Sequence, residues 1–176
     1  MRFINSKPHP TVTDHGIFGF FQEYRFLSNF HLCKVVYDGY VYASSEHCYM
    51  AQKTNDPVEK YQLSTSGNLT TVEAKKFGQT VKLIDGWDDI RCVVMREVVL
   101  AKFRQNRELA NKLLLTGDQY LEETNYWGDR FWGSHVARNQ TRLYFPHDER
   151  ETYGENNLGS ILMDVRKQLK LESLRV

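Results

Sequence analysis

Toward the C-terminal end, Leu158, Ile161, Leu162, Val165 and Leu169 fall on one stripe at helical spacing, and they predict an amphipathic helix. A longer helix is predicted from Asp88 or Asp89 to about Gln105, with Ile90, Val94, Val98 and Ala101 on one face. Leu109, Leu113 and Leu114 mark another, stopped by Gly117. Three shorter helices carry cap signals. Ser44 or Ser45 caps a segment reaching about Lys53. Asp56 caps the next, with Pro57 at its first position and Glu59 placed for a capping box. Thr70 and Glu73 repeat that box and open a helix ending near Phe77-Gly78.

The N-terminal part reads differently. Ile17 to Phe21 is a short apolar run, predicted as a strand. Lys34–Tyr37 and Tyr40–Tyr42 flank Asp38-Gly39, a pair that supplies the positive φ angles of a tight hairpin. Residues 1–16 show no period and read as a flexible or strand-edge leader before a domain over 17–172. The predicted fold is an α+β, mainly helical single domain with a small N-terminal antiparallel sheet or hairpin. Between Thr124 and Asn157 neither period holds, and the stretch exceeds the ~12–15 residues of a plain connector. It mixes Tyr126, Trp127, Phe131 and Trp132 with Asp129, Arg130, His135, Arg138 and Arg142. Aromatics among charges suit a flat polar ligand, or they pin the loop to the core.

Composition narrows the function classes. The 176 residues are 41% hydrophobic and 26% charged, as in one folded domain. A net charge of +1 argues against avid non-specific nucleic-acid binding, although a loop stacking on bases remains a rival reading. The three cysteines, Cys33, Cys48 and Cys92, form no CxxC pair; Cys48 and Cys92 sit in apolar helical patterns and read as core thiols. With no apolar leader and no run of ~18 apolar residues, a cytoplasmic protein without a membrane span is expected. The histidines lack metal-ligand spacing, so no metal is expected, nor any cofactor or obligate protein partner. Rossmann, P-loop, serine-elbow and zincin motifs are missing.

The candidate chemistry lies in two places. On a helix, Glu46 and Lys53 are nearly two turns apart and share a face with Tyr49 and Met50 between them. A carboxylate and an amine on one pocket do acid–base work, and a desolvated lysine attacks an opened sugar carbonyl. The plain alternative is a carboxylate complementing a helix N-terminus and a solvated lysine. His47 points away and reads as a packed histidine. Asp129, beside Trp127-Gly128, is either an acid against an apolar wall or the cap of a turn. Trp87 either stacks on a base or staples the long helix.

Taken in order, Phe26-Leu27-Ser28-Asn29-Phe30, Ser45-Glu46-His47 through Ala51-Gln52-Lys53, Trp87, Val94-Met95-Arg96, Ala101-Lys102-Phe103, Leu114-Leu115-Thr116-Gly117-Asp118, Leu121-Glu122-Glu123, Tyr126-Trp127-Gly128-Asp129 and Asn157-Leu158-Gly159 with Leu162-Met163 resemble the NADAR family of YbiA-like N-glycosidases. The resemblance implies hydrolysis of a ribosyl C–N bond, in a phosphoribosylated riboflavin-pathway intermediate or in ADP-ribosylated guanine, free or in nucleic acid. It implies Glu46, Asp129 and Lys53 as catalytic groups, with Trp87, Trp127, Asn29, Tyr126 and Asn157 as substrate contacts. Arg138 and Arg142 are candidates for phosphate. The rival of another class is an ADP-ribose or nucleotide-binding module without turnover. The chain departs from the family pattern at Cys48-Tyr49-Met50, at Thr54, and from Arg130 through a longer segment past Tyr153.

Overall fold

The computed structural model describes residues 9–136 and 153–174. The chain divides into two compact units, Met1–Ser28 with Asp118–Ser160, and Asn29–Gly117 with Ile161–Val176. Its order is β1 (Thr11–Val12), β2 (Gly16–Phe18), a 3-10 helix (Gln22–Leu27), β3 (Leu32–Tyr37), β4 (Tyr40–Ser44), α1 (Ser45–Ala51), α2 (Pro57–Leu63), a 3-10 turn (Thr65–Gly67) and α3 (Thr71–Phe77). Then come α4 (Trp87–Gln105), α5 (Arg107–Leu115), β5 (Tyr120–Glu122), β6 (Thr124–Asn125), β7 (Ser134–His135) and α6 (Asn157–Ser173). Helices with small sheets are the predicted class. No helix among the described residues is long and apolar enough to cross a membrane.

In the first unit, β1 pairs antiparallel with β2 (Val12 opposite Ile17), so part of the expected leader is strand edge. β2 also pairs in parallel with β5, Ile17 opposite Leu121. Local sequence cannot foresee this partner, which lies over 100 residues away; both pairing residues are fully buried. A second parallel pair joins β6 to β7.

In the second unit, the β3–β4 hairpin turns at Asp38 (φ 49°) and Gly39 (φ 77°), as Asp-Gly predicts. Ser44 ends β4 and caps α1, its hydroxyl accepting from the His47 amide at 3.3 Å. All seven residues of α1 are buried, because it packs against α2, α3, α4 and the hairpin at once. The Thr70–Glu73 capping box of α3 is complete. At α2 the expected box is rerouted. Asp56 does cap the helix, but Glu59 accepts from Thr54 Oγ1 at 2.5 Å, and that oxygen accepts from the Asp56 amide at 3.0 Å.

The long helix starts one residue before the expected Asp88, at Trp87, with Gly86 as its N-cap. Its core face is Trp87, Met95, Val98, Val99 and Phe103, whereas Ile90 is exposed and Val94 and Ala101 are half-buried. A single-stripe reading fails because β3 and α1 both lie against this helix. Cys92, expected in the core, is half-buried for the same reason; Cys48 is buried. At the end of α4, Gln105 behaves as a strand partner. Its side chain accepts from the Val36 amide at 2.7 Å and donates to the Val36 carbonyl at 2.9 Å. The predicted stripe of α6 is buried at all five positions. Arg166 of α6 donates to Thr116 Oγ1 at 2.7 Å, at the end of α5.

Candidate active site

Within the second unit, α1 gathers the groups expected to do chemistry. Glu46 is 6% exposed, and its backbone amide donates to the Asn29 carbonyl at 3.0 Å. Asn29 is equally buried and donates Nδ2–H to Met95 Sδ at 3.2 Å. Its Oδ1 and the neighbouring Ser45 Oγ are buried without a hydrogen-bond partner among the described residues. Buried polar atoms are rarely left so, and both belong to residues next to Glu46, one in sequence and one through its backbone amide. The sequence offers Ser45 only as a possible cap, a role that Ser44 takes.

Lys53 lies just past the end of α1, not within it, and still faces Glu46 electrostatically. Burial holds its pKa below the ordinary lysine value; the Glu46 carboxylate pulls it back up, and the Lys75 ammonium pushes it down. Lys53 Nζ donates to the Gly78 carbonyl at 3.3 Å and lies 5.7 Å from the centre of the Tyr49 ring. Gly78 also lets Met50 of α1 lie against the end of α3: a Cβ there would be 2.6 Å from Met50 Cβ and Cγ, so any side chain would push α1 and α3 apart. Lys53 is half-buried rather than fully solvated.

Trp87 is buried and packs its ring 5.3 Å from the Tyr49 ring at 50°. As first residue of α4 it is misplaced for a staple, which needs the position before the cap. Burial raises the Tyr49 phenol pKa, so it stays a neutral wall. Lys75, which sequence reasoning missed, rests over the Phe30 ring at 5.5 Å. Only the end of α3 identifies it beforehand, and nothing local tells which way it turns.

His47 does point elsewhere. Nε2 lies 2.9 Å from the Leu69 carbonyl, which only accepts, so Nε2 carries the proton; Nδ1 lies 2.8 Å from Ser44 Oγ. Burial lowers the His47 pKa, opposed by the Leu69 bond. Between the folded and unfolded pKa values the unfolded chain binds more protons, so stability should fall as pH drops below about 6.5. The slope from this group reaches at most about 1.4 kcal/mol per pH unit. Urea melts at stepped pH should show that dependence in the wild type and a shallower one in His47→Gln.

In the first unit, the loop after β6 is knitted by Asn125, which is fully buried. Its Oδ1 accepts from the amides of Trp127 (3.3 Å) and Asp129 (3.0 Å), and its Nδ2 donates to the Asp129 carbonyl at 2.6 Å. Asp129 Oδ1 accepts from the amides of Phe131 (3.1 Å) and Trp132 (2.9 Å), the turn-capping arrangement. Tyr126 stacks on Phe21, with ring centres 6.1 Å apart and planes 9° apart, and so helps pin the loop. Trp127 is 59% exposed and free of that duty. Asn157 Nδ2 donates to the Phe131 carbonyl at 2.9 Å and to Glu155 at 2.8 Å, locking the start of α6 to the loop. Arg138 and Arg142 lie outside the described residues.

The family model described as the NADAR domain matches residues 5–170. The chain is 36% identical over 150 residues to a riboflavin biosynthesis protein of Vibrio vulnificus, a match covering 85% of this chain but only 36% of that protein. It is 31% identical over 156 residues to the N-glycosidase YbiA of Escherichia coli, covering 85% of this chain and 84% of the relative. An N-glycosidase of Nostoc punctiforme is 31% identical over 152 residues, covering 85% and 88%. The NMR structure of Escherichia coli YbiA superposes with a TM-score of 0.74 at 28% identity, over 94% of this chain and 91% of that one.

Proposed function

The chain belongs to the NADAR family, and from that premise we propose that it is an N-glycosidase hydrolysing the ribosyl C–N bond of a nucleotide-like substrate. One observation carries the reading. A buried carboxylate, Glu46, acts on an amine, Lys53, whose charge is disfavoured, beside the aromatic wall of Tyr49 and Trp87. An amine held toward its neutral form is the nucleophile that turnover uses. The names of the relatives, N-glycosidases and a riboflavin biosynthesis protein, support the same reaction class.

Cleavage of a ribosyl C–N bond builds positive charge at the anomeric carbon and negative charge on the departing nitrogen. Glu46 stabilises the first or orients the attacking water. Lys53 in its neutral form attacks C1, and the C–N electron pair leaves on the base nitrogen, which takes up a proton. Opening of the ring and loss of the Nζ proton give an imine, which water hydrolyses to sugar and free amine. Trp87 walls the base, and Asn29 Oδ1 accepts from a sugar hydroxyl. Asp129 as proton donor, and Trp127, Tyr126, Asn157, Arg138 and Arg142 as substrate contacts, belong to the same proposal. The substrate is a phosphoribosylated riboflavin-pathway intermediate or ADP-ribosylated guanine, and the three free thiols suit a cytoplasmic setting.

The test is incubation with a phosphoribosylated flavin precursor, ADP-ribosylated guanine DNA and NAD, followed by mass spectrometry. Release of sugar phosphate or ADP-ribose from one of the first two is expected. Tight binding of any of them with no released base would replace the enzyme with a nucleotide-binding module.

A further inference from the structure

With Lys53 neutral for attack, the charged side chains acting on it are one carboxylate, Glu46, and one ammonium, Lys75. Neither lysine makes an ion pair among the described residues. Lys75 is half-buried at the last turn of α3, with its ammonium over the face of Phe30. A cation held against an aromatic ring has given up part of its hydration and stays in place without a carboxylate. Phe30 follows Asn29, whose carbonyl takes the Glu46 amide and whose Oδ1 is buried and unsatisfied. Lys75 thus calls for an anion, Asn29 Oδ1 for a hydroxyl and Glu46 for a cationic carbon, all within one short stretch of structure.

We propose that Lys75, seated on Phe30, binds the phosphate on C5 of the substrate's ribose while Asn29 Oδ1 accepts from a hydroxyl of the same sugar. This rests on the N-glycosidase reading for the identity of the sugar, and it adds the end of the substrate that α3 recognises. Asn29 and Glu46 are joined through the backbone, so the sugar and its reacting carbon are held by one rigid corner. Lys75 lies on a different helix and fixes the distance from that corner to the phosphate. A nucleoside without phosphate would occupy the corner and leave Lys75 without an anion. The enzyme therefore selects the phosphorylated form.

Calorimetric titration tests this with ribose 5-phosphate, ADP-ribose and ribose on the wild-type chain, Lys75→Met and Lys75→Arg. Methionine keeps length and apolar bulk over Phe30, and arginine keeps the charge. Ribose 5-phosphate should bind the wild type, lose about tenfold or more in affinity in Lys75→Met, and regain most of it in Lys75→Arg. Ribose affinity should be the same in all three proteins. Loss on ADP-ribose to the same degree extends the site to a pyrophosphate; loss confined to ribose 5-phosphate assigns it to a terminal phosphate. A wild type that ignores ribose 5-phosphate overturns the proposal, as does a Lys75→Met variant that binds it unchanged or loses ribose equally. Phosphate recognition at Lys75 without turnover on any substrate would leave this inference standing and remove the N-glycosidase reading.

Discussion

Glu46→Gln is expected to slow C–N cleavage by about 10²–10⁴-fold while the melting temperature stays close to that of the wild type. The substitution keeps shape and removes only the charge. The amide that donates to Asn29 belongs to the backbone, and the helix cap belongs to Ser44, so neither is disturbed. What is lost is a negative charge in a place 6% exposed, where water screens it poorly. Such a charge stabilises an oxocarbenium-like carbon more than a neutral glycoside, so the loss should appear in kcat, with KM little changed. A second readout separates this from a folding defect. Glu46 pulls the Lys53 pKa upward, so its removal should move the alkaline-rising limb of the pH–rate profile toward lower pH. Full turnover in both Glu46→Gln and Asp129→Asn would end the assignment of these carboxylates.

The parts of this molecule that were legible beforehand are those fixed by neighbours in the chain. The Asp38-Gly39 turn, the Thr70–Glu73 box and the buried stripe of α6 all follow from residues within a few positions of each other. Reading failed where a distant element intervened. Ile90 sits at helical spacing yet faces outward, because α4 is gripped by β3 and α1 on another side. Glu59 abandoned its own helix end because Thr54 offered a hydroxyl. In the site, spacing predicts one helical face for Glu46 and Lys53; α1 ends at Ala51, so Lys53 lies past it, and the pull of Glu46 on the Lys53 amine is what links them. Lys75 and the unsatisfied Asn29 Oδ1 were not legible, since each depends on distant groups: Lys75 on Phe30 and Lys53, and Asn29 on Met95, whose sulfur takes the Nδ2–H and leaves Oδ1 without a partner. Asp129 shows the opposite case, a local turn-cap motif that formed as local chemistry dictates.

Lys53 should give an all-or-none result. Borohydride added during turnover should fix the sugar on the wild-type chain as a stable secondary amine, seen as one sugar-phosphate or ADP-ribose mass increment at Lys53. Lys53→Arg should show none, since a guanidinium keeps the charge but forms no such imine. Its turnover should fall at least as far as that of Glu46→Gln. Attack requires the neutral amine, and burial already moves Lys53 toward it. In the wild type the rate should therefore rise with pH through a pKa below the ordinary lysine value. Lys75→Met removes a neighbouring positive charge and should move that limb to higher pH, the opposite direction from Glu46→Gln. Opposed shifts from two substitutions cannot come from a general loosening of α1, which would move both the same way. Turnover without any trapped adduct, together with near-normal rates in Lys53→Arg, would mean that water alone attacks C1. Lys53 would then serve only as a positive charge beside Lys75.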